Sequence, residues 1–314
     1  MDHVIRSENG LKVRISDHGA ELLSIHYGDT EYLWQGDPTY WKGHAPVLFP
    51  FVGRLYNGKY RLGDKVYDLR IHGFAPVSDF EASQEKDKAV FTLKDNEETL
   101  KSYPFHFVFQ VIYAVSGQTL SVTYHVENKS DTMMPFGIGG HPGFNVPLRS
   151  DAAGKAGDVA GKDTSAARTA EDGLQRDFTD YYLEFDGKSE PDRVIMTDQV
   201  LVSGKTEPYP LEDGRLLRLR HDLFDNDAVV LENMPGSVTL KSDKDSRSVT
   251  VSFPDMRNVG FWHRNRSDAP YVAIEPWYSL PGRQDIIEDL RFRRDLVRLQ
   301  PGESWETEMT ITVR

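Results

Sequence analysis

The chain has no cysteine. Disulfides, thiolate metal sites and a cysteine nucleophile are excluded with it. Cationic tracts are missing too. Lys and Arg number 37 against 49 Asp and Glu, for a formal net charge of −12 at pH 7. That balance argues against nucleic acid or an anionic membrane surface as partner. No apolar run approaches the roughly 18 residues of a membrane span. The start, MDHVIRSENGLKVR, lacks the apolar stretch of a signal peptide. Helical periodicity is scarce, and GxSxG, P-loop and HExxH motifs are absent. The expectation is a soluble, cytoplasmic protein that handles a small molecule. No feature of the sequence reports its oligomeric state.

Period-two alternation dominates what is present. In LSVTYHVEN (120–128), Leu120, Val122, Tyr124 and Val126 share one face, and Ser121, Thr123, His125 and Glu127 the other. This is a half-buried strand. HFVFQVIYAV (106–115) precedes it across the turn SGQ (116–118), which predicts an antiparallel hairpin. KYRLGDKVYDL (59–69), turning at Gly63-Asp64, predicts a second. SVTLKSDKDSRSVTVSF (237–253) predicts a third. SWETEMTITVR (304–314) places Trp305, Thr307, Met309, Ile311 and Val313 on one side. DNEETLKSY (95–103) has room for one short helical turn, and DIIEDLRFRRDL (285–296) lacks a clean apolar stripe. The pattern predicts an all-β protein, one large antiparallel sandwich spanning 1–314 as a single domain. The segment 149–177 is small, polar and charged. It is too poor in large apolar residues to offset its ordering entropy and reads as a flexible surface insertion.

Four stretches depart from regular strands. GIGGHPGFNVPL (137–148) sets His141 among four glycines and two prolines, where a ligand can approach the backbone closely. LRIHGFAPV (69–77) carries His72, and HAPVLFPFVGRL (44–55) ends in Arg54. A surface arginine or a satisfied core histidine would leave the same pattern. PYVAIEPWYSLPGR (270–283) puts Glu275 at the end of an apolar strand, beside Trp277. A buried carboxylate is costly unless paired or used. Burial raises its pKa and a cation lowers it, so such a group can be tuned as a general base. The flat face of Trp277 suits the C–H face of a pyranose. His72 and His141 could join a metal site, but nothing in their spacing demands one.

Taken in order, EYLWQGDPTYWKGHAPVLFPFVGRL, IHGFA, GIGGHPGFNVPL and YVAIEPWYSLPG resemble the aldose 1-epimerase (galactose mutarotase) family, in its LacX-like branch. The resemblance spans about residues 4–148 and 178–314. It implies a β-sandwich that binds a sugar in a cleft across its strands. It implies that Glu275 is the catalytic base and His141 the catalytic acid. It further implies that His72 holds the sugar near its ring oxygen and that Arg54 binds its hydroxyls. An aspartate in LFDNDAVVLEN (223–233) would assist, Asp227 first and Asp225 second. Such a reaction interconverts α- and β-anomers of a free aldohexose by ring opening and closure, and needs no cofactor. A hexose 6-phosphate epimerase is the alternative, with His263, Arg264 and Arg266 as the extra cations. A non-catalytic carbohydrate-binding sandwich would not need both Glu275 and His141. A glycosidase normally needs two carboxylates, and only one good candidate is present.

Overall fold

The computed structural model describes residues 1–148 and 176–314. Most of the expected insertion therefore lies outside the described residues. Two antiparallel sheets dominate. The larger has nine strands, and the hairpin predicted from period two lies within it. Phe107–Ser116 pairs with Thr119–Asn128, setting Phe109 opposite Val126 and Val111 opposite Tyr124. Ser304–Val313 lies on the far side of the second strand, with Met309 opposite Val122. The hairpins Lys59–Leu62/Lys65–Asp68 and Ser237–Ser242/Asp245–Ser252 also form. The α-helix Glu97–Ser102 is capped by the Asn96 side chain, which accepts from the Glu98 and Thr99 amides. Among the described residues no helix is long and apolar enough to cross a membrane.

The second sheet has eight strands. Its order runs Val202–Pro208, Asp192–Met196, Val229–Glu232, Asn258–Trp262, Tyr271–Trp277, Gly139–Gly140 and Val47–Leu48; Gly143–Asn145 also pairs with Tyr271–Trp277. Its interior strand Tyr271–Trp277 is buried along its whole length. Val272 and Ile274 point into the main core. Alternation therefore turns Tyr271, Ala273, Glu275 and Trp277 to the opposite face. The apolar faces of the strands bury one continuous cluster, from Ile5 through Phe109 and Tyr124 to Val313. Each fully buried large side chain there contributes about 1.5–3 kcal/mol.

Phe49 joins this core to the loop that carries His72. Its ring stacks on Phe109 at 4.3 Å between centroids and 21° between planes. Its amide donates to the His72 carbonyl at 3.3 Å, and its own carbonyl accepts from the Phe74 and Ala75 amides at 3.1 Å each. Phe109 is fully buried beneath it. Phe109→Ala is predicted to cost about 3–5 kcal/mol through lost transfer energy and a residual cavity. Urea unfolding of the two proteins checks this, and a loss under about 1 kcal/mol would contradict the packing described.

Candidate active site

The strand order of the second sheet lines up its functional side chains. Antiparallel register sets Gly260 opposite Glu275 and Trp262 opposite Ala273. On the other side Gly139 faces Trp277, and the chain then delivers His141 beside Glu275. Beyond that, Val47 pairs with Gly140, and the same strand leads on to Arg54. The His141 Nε2 and Glu275 Oε2 atoms lie 3.2 Å apart. Both side chains are nearly closed off from solvent, with 10% and 3% exposure.

Burial governs the charge of this pair. It pushes the Glu275 carboxyl well above its ordinary value, and the nearby Asp227 charge pushes the same way. The Trp277 indole is close enough to oppose the rise, although its Nε1 completes no hydrogen bond among the described residues. Burial also holds His141 down to about 4, opposed by its own backbone carbonyl and by the Glu21 charge. Each group resists its charged form, so the pair holds one proton across a wide range of pH. The Nδ1 atom of His141 is buried without a hydrogen-bond partner among the described residues.

His72 sits 5.7 Å from His141 between ring centroids, with the rings near perpendicular. Its φ is +63°, in the left-handed region that non-glycine residues seldom occupy. Two contacts hold it there. Its amide donates to the Gly53 carbonyl at 2.9 Å, and its Nδ1 accepts from the Gly53 amide at 3.2 Å. That second bond leaves its proton on Nε2. Burial, then the charge of His141 and then that of Arg54, keeps its pKa near 3, so the ring is neutral. Arg54 itself is exposed, and its guanidinium has no hydrogen bond or ion pair among the described residues.

The two candidate aspartates separate. Asp227, with φ of +74°, accepts from the Ala228 amide at 2.8 Å and is felt by Glu275. Asp225 acts instead on His263. Of the two, only Asp227 is thus coupled to the pair.

Trp277 is 4% exposed, as closed off as Glu275 on the same strand, and packs with Leu48, Val52 and Val230 in a small apolar cluster. One expectation needs correction: His263 is no cation. It is fully buried, and its Nδ1 donates to the Arg264 carbonyl at 2.7 Å while Nε2 meets His221 Nδ1 at 3.0 Å. Burial lowers its pKa to about 4. Arg264 and Arg266 are exposed.

Aromatic residues that the sequence reading passed over stand beside His141. Trp41 lies against its ring at 5.0 Å and 31°, and Trp262 meets it edge-on at 5.7 Å. Both tryptophans are partly exposed.

A family model described as aldose 1-epimerase matches residues 1–312, and the chain belongs to that family. Protein LacX (chromosomal) of Lactococcus lactis subsp. lactis is 31% identical over 315 residues, which cover 96% of each chain. A galactose mutarotase related enzyme from Lactobacillus acidophilus has a solved structure that matches with a TM-score of 0.87 and 36% identity. That match covers 100% of this chain and 97% of the other. A galactose mutarotase-like protein from Lactobacillus casei ATCC 334 matches with a TM-score of 0.86 and 31% identity, over 100% of both chains. The protein is a sugar epimerase, hence an isomerase, with the galactose mutarotase-like β-sandwich fold.

The raised pKa of Glu275 makes a prediction about stability. A carboxyl whose pKa rises on folding gives stability that is present below about 4.5 and is lost as pH climbs toward the folded value. Glu275→Gln removes that loss. The variant is expected to melt above the wild type at pH 8, with a gap that closes toward pH 4.5. The limiting slope is about 1.4 kcal/mol per pH unit. Calorimetry across this range checks it, and a gap independent of pH would count against the burial of this carboxyl.

Proposed function

We propose that the protein interconverts the α- and β-anomers of a free aldohexose through the Glu275–His141 pair. The direct contact of these two buried groups is the observation that carries the reading. Opening a pyranose requires removal of the C1 hydroxyl proton and delivery of a proton to the ring oxygen. Glu275 as carboxylate performs the first step and protonated His141 the second. In the resting protein burial favours the proton on the carboxyl. Its transfer across 3.2 Å to His141 Nε2 creates base and acid together with no change in net charge. The Glu21 charge supports the imidazolium so formed. The C1 aldehyde then rotates, and closure runs the same transfers in reverse. Nothing in this sequence requires an electron carrier or a group carrier.

Other residues of the site suit roles in binding. Arg54 presents a guanidinium with no partner among the described residues, fitted to sugar hydroxyls. Neutral His72, with its proton on Nε2, donates one hydrogen bond without adding charge. Asp227 presents an acceptor beside Glu275. The reading with a 6-phosphate loses one of its three cations, because His263 is neutral and buried. A binding-only sandwich would have no use for a buried carboxyl in contact with a buried imidazole, an arrangement that costs stability.

Polarimetry on freshly dissolved α-glucose and α-galactose tests the proposal. Glu275→Gln and His141→Asn are each expected to lose about 10²–10⁴-fold of the catalysed rate. Full activity in both variants would remove these residues from the mechanism. The pH profile of kcat/KM should fall on the acid side near pH 4, as His141 takes a second proton. Its alkaline limb should lie well above 4.5, where Glu275 releases the shared one. An acid limb at the ordinary imidazole value of about 6.5 would contradict the shared-proton account.

A further inference from the structure

We propose that Trp41 and Trp262 form the wall that receives the C5–C6 end of the sugar. The wall sets a preference for a hexose with an uncharged C6 group. The inference rests on the anomer-exchange reading of the Glu275–His141 pair and adds the direction in which the sugar lies. C1 has two ring neighbours. One is the ring oxygen, which continues to C5 and C6; the other is C2. With the C1 hydroxyl at Glu275 and the ring oxygen at His141, the chain of atoms beyond His141 is C5–C6. The rings packed on His141 are those of Trp41, Trp262 and His72, and of these the two indoles offer the apolar faces that C5 and C6 need.

The corner is a built feature. The Trp41 and Trp262 rings meet at 90° with centroids 5.5 Å apart, and both lie against His141. Tyr271 closes the back of the corner at 5.7 Å from Trp41 and 5.8 Å from Trp262. Two glycines leave space for the Trp41 ring. A Cβ on Gly43 would lie 2.8 Å from Trp41 Cζ2, and one on Gly143 would lie 3.0 Å from its Cζ3. The loop is fastened on both sides. Trp34 Nε1 donates to the Trp41 carbonyl at 2.7 Å, and the Gly143 amide donates to the His44 carbonyl at 2.9 Å. Glu21 accepts from the His44 and Ala45 amides at 2.7 and 3.1 Å. Trp41 is thus fixed to the segment that carries His141, while part of its ring stays exposed.

Such a corner binds the C–H groups of C5 and C6 by dispersion and apolar burial. The indole faces themselves offer a phosphate no counter-charge, and His263 behind Tyr271 is neutral; the exposed Lys42, Arg264 and Arg266 flank the two tryptophans in sequence, and the rate with glucose 6-phosphate reads whether they reach C6. Initial rates with glucose, xylose (which lacks C6) and glucose 6-phosphate test this, using wild type, Trp41→Ala and Trp41→Phe. In the wild type, kcat/KM for xylose should fall about tenfold or more below that for glucose, the scale of one small group in an apolar pocket. Glucose 6-phosphate should fall at least as far. Trp41→Ala should erase most of the glucose-to-xylose ratio, chiefly through KM for glucose, and Trp41→Phe should restore much of it. If Trp41→Ala slows all three sugars by the same factor, the wall is structural and the inference fails. If glucose 6-phosphate outperforms glucose, the inference also fails. If no sugar is turned over, or Glu275→Gln keeps full activity on glucose, the underlying reaction is what fails.

Discussion

A 3.2 Å contact between a buried imidazole and a buried carboxyl organises this molecule. Neither group would choose its charged form there. Burial lowers His141 and raises Glu275, so the protein confines one proton to a pair of atoms. In the proposed reaction a single proton that can sit on either partner serves both ends of anomer exchange, which takes a proton from one oxygen and delivers one to another within the same small volume. The surrounding architecture keeps the two groups together and keeps water away. Their proximity follows from register: Glu275 is on an interior strand of the second sheet, and the next segment across delivers His141.

The same sheet explains why the remaining residues come from distant parts of the chain. Asp227 precedes one strand, Trp262 ends its neighbour, and Arg54 follows the strand at the far side. The loop bearing His72 is clamped to Gly53, next to Arg54, and hangs from Phe49, whose ring is part of the core. Core packing, loop placement and the left-handed backbone at His72 are thus linked. Strain at a single residue persists when its neighbours over-determine it, and His72 is held from both its amide and its ring.

The strands were legible because alternation needs only local sequence, as Phe107–Ser116 and Thr119–Asn128 demonstrate. His141, Glu275, His72 and Arg54 stood out because each interrupts that alternation with Gly, Pro or a charge. The surroundings of Trp277 were not legible, because proximity in sequence to Glu275 says nothing of which neighbours cover it; Leu48 and Val230 come from other strands. His263 misled for the same reason, since His221 reaches it from 42 residues away. Trp41 was hidden in a loop whose course depends on hydrogen bonds to Gly143 and Glu21, and no periodicity reports those. The signal that could have found it is Gly43, placed two residues on, where any side chain would collide with the indole.

If one proton shared by two groups is the working unit, neither group retains its function alone. The most direct measurement is a double-mutant cycle on kcat/KM for anomer exchange, with wild type, Glu275→Gln, His141→Asn and the double variant. The account predicts that the double variant loses no more than about the larger of the two single losses, because either change disables the same unit. Losses that multiply in the double variant would show two independent contributions and would contradict the shared proton.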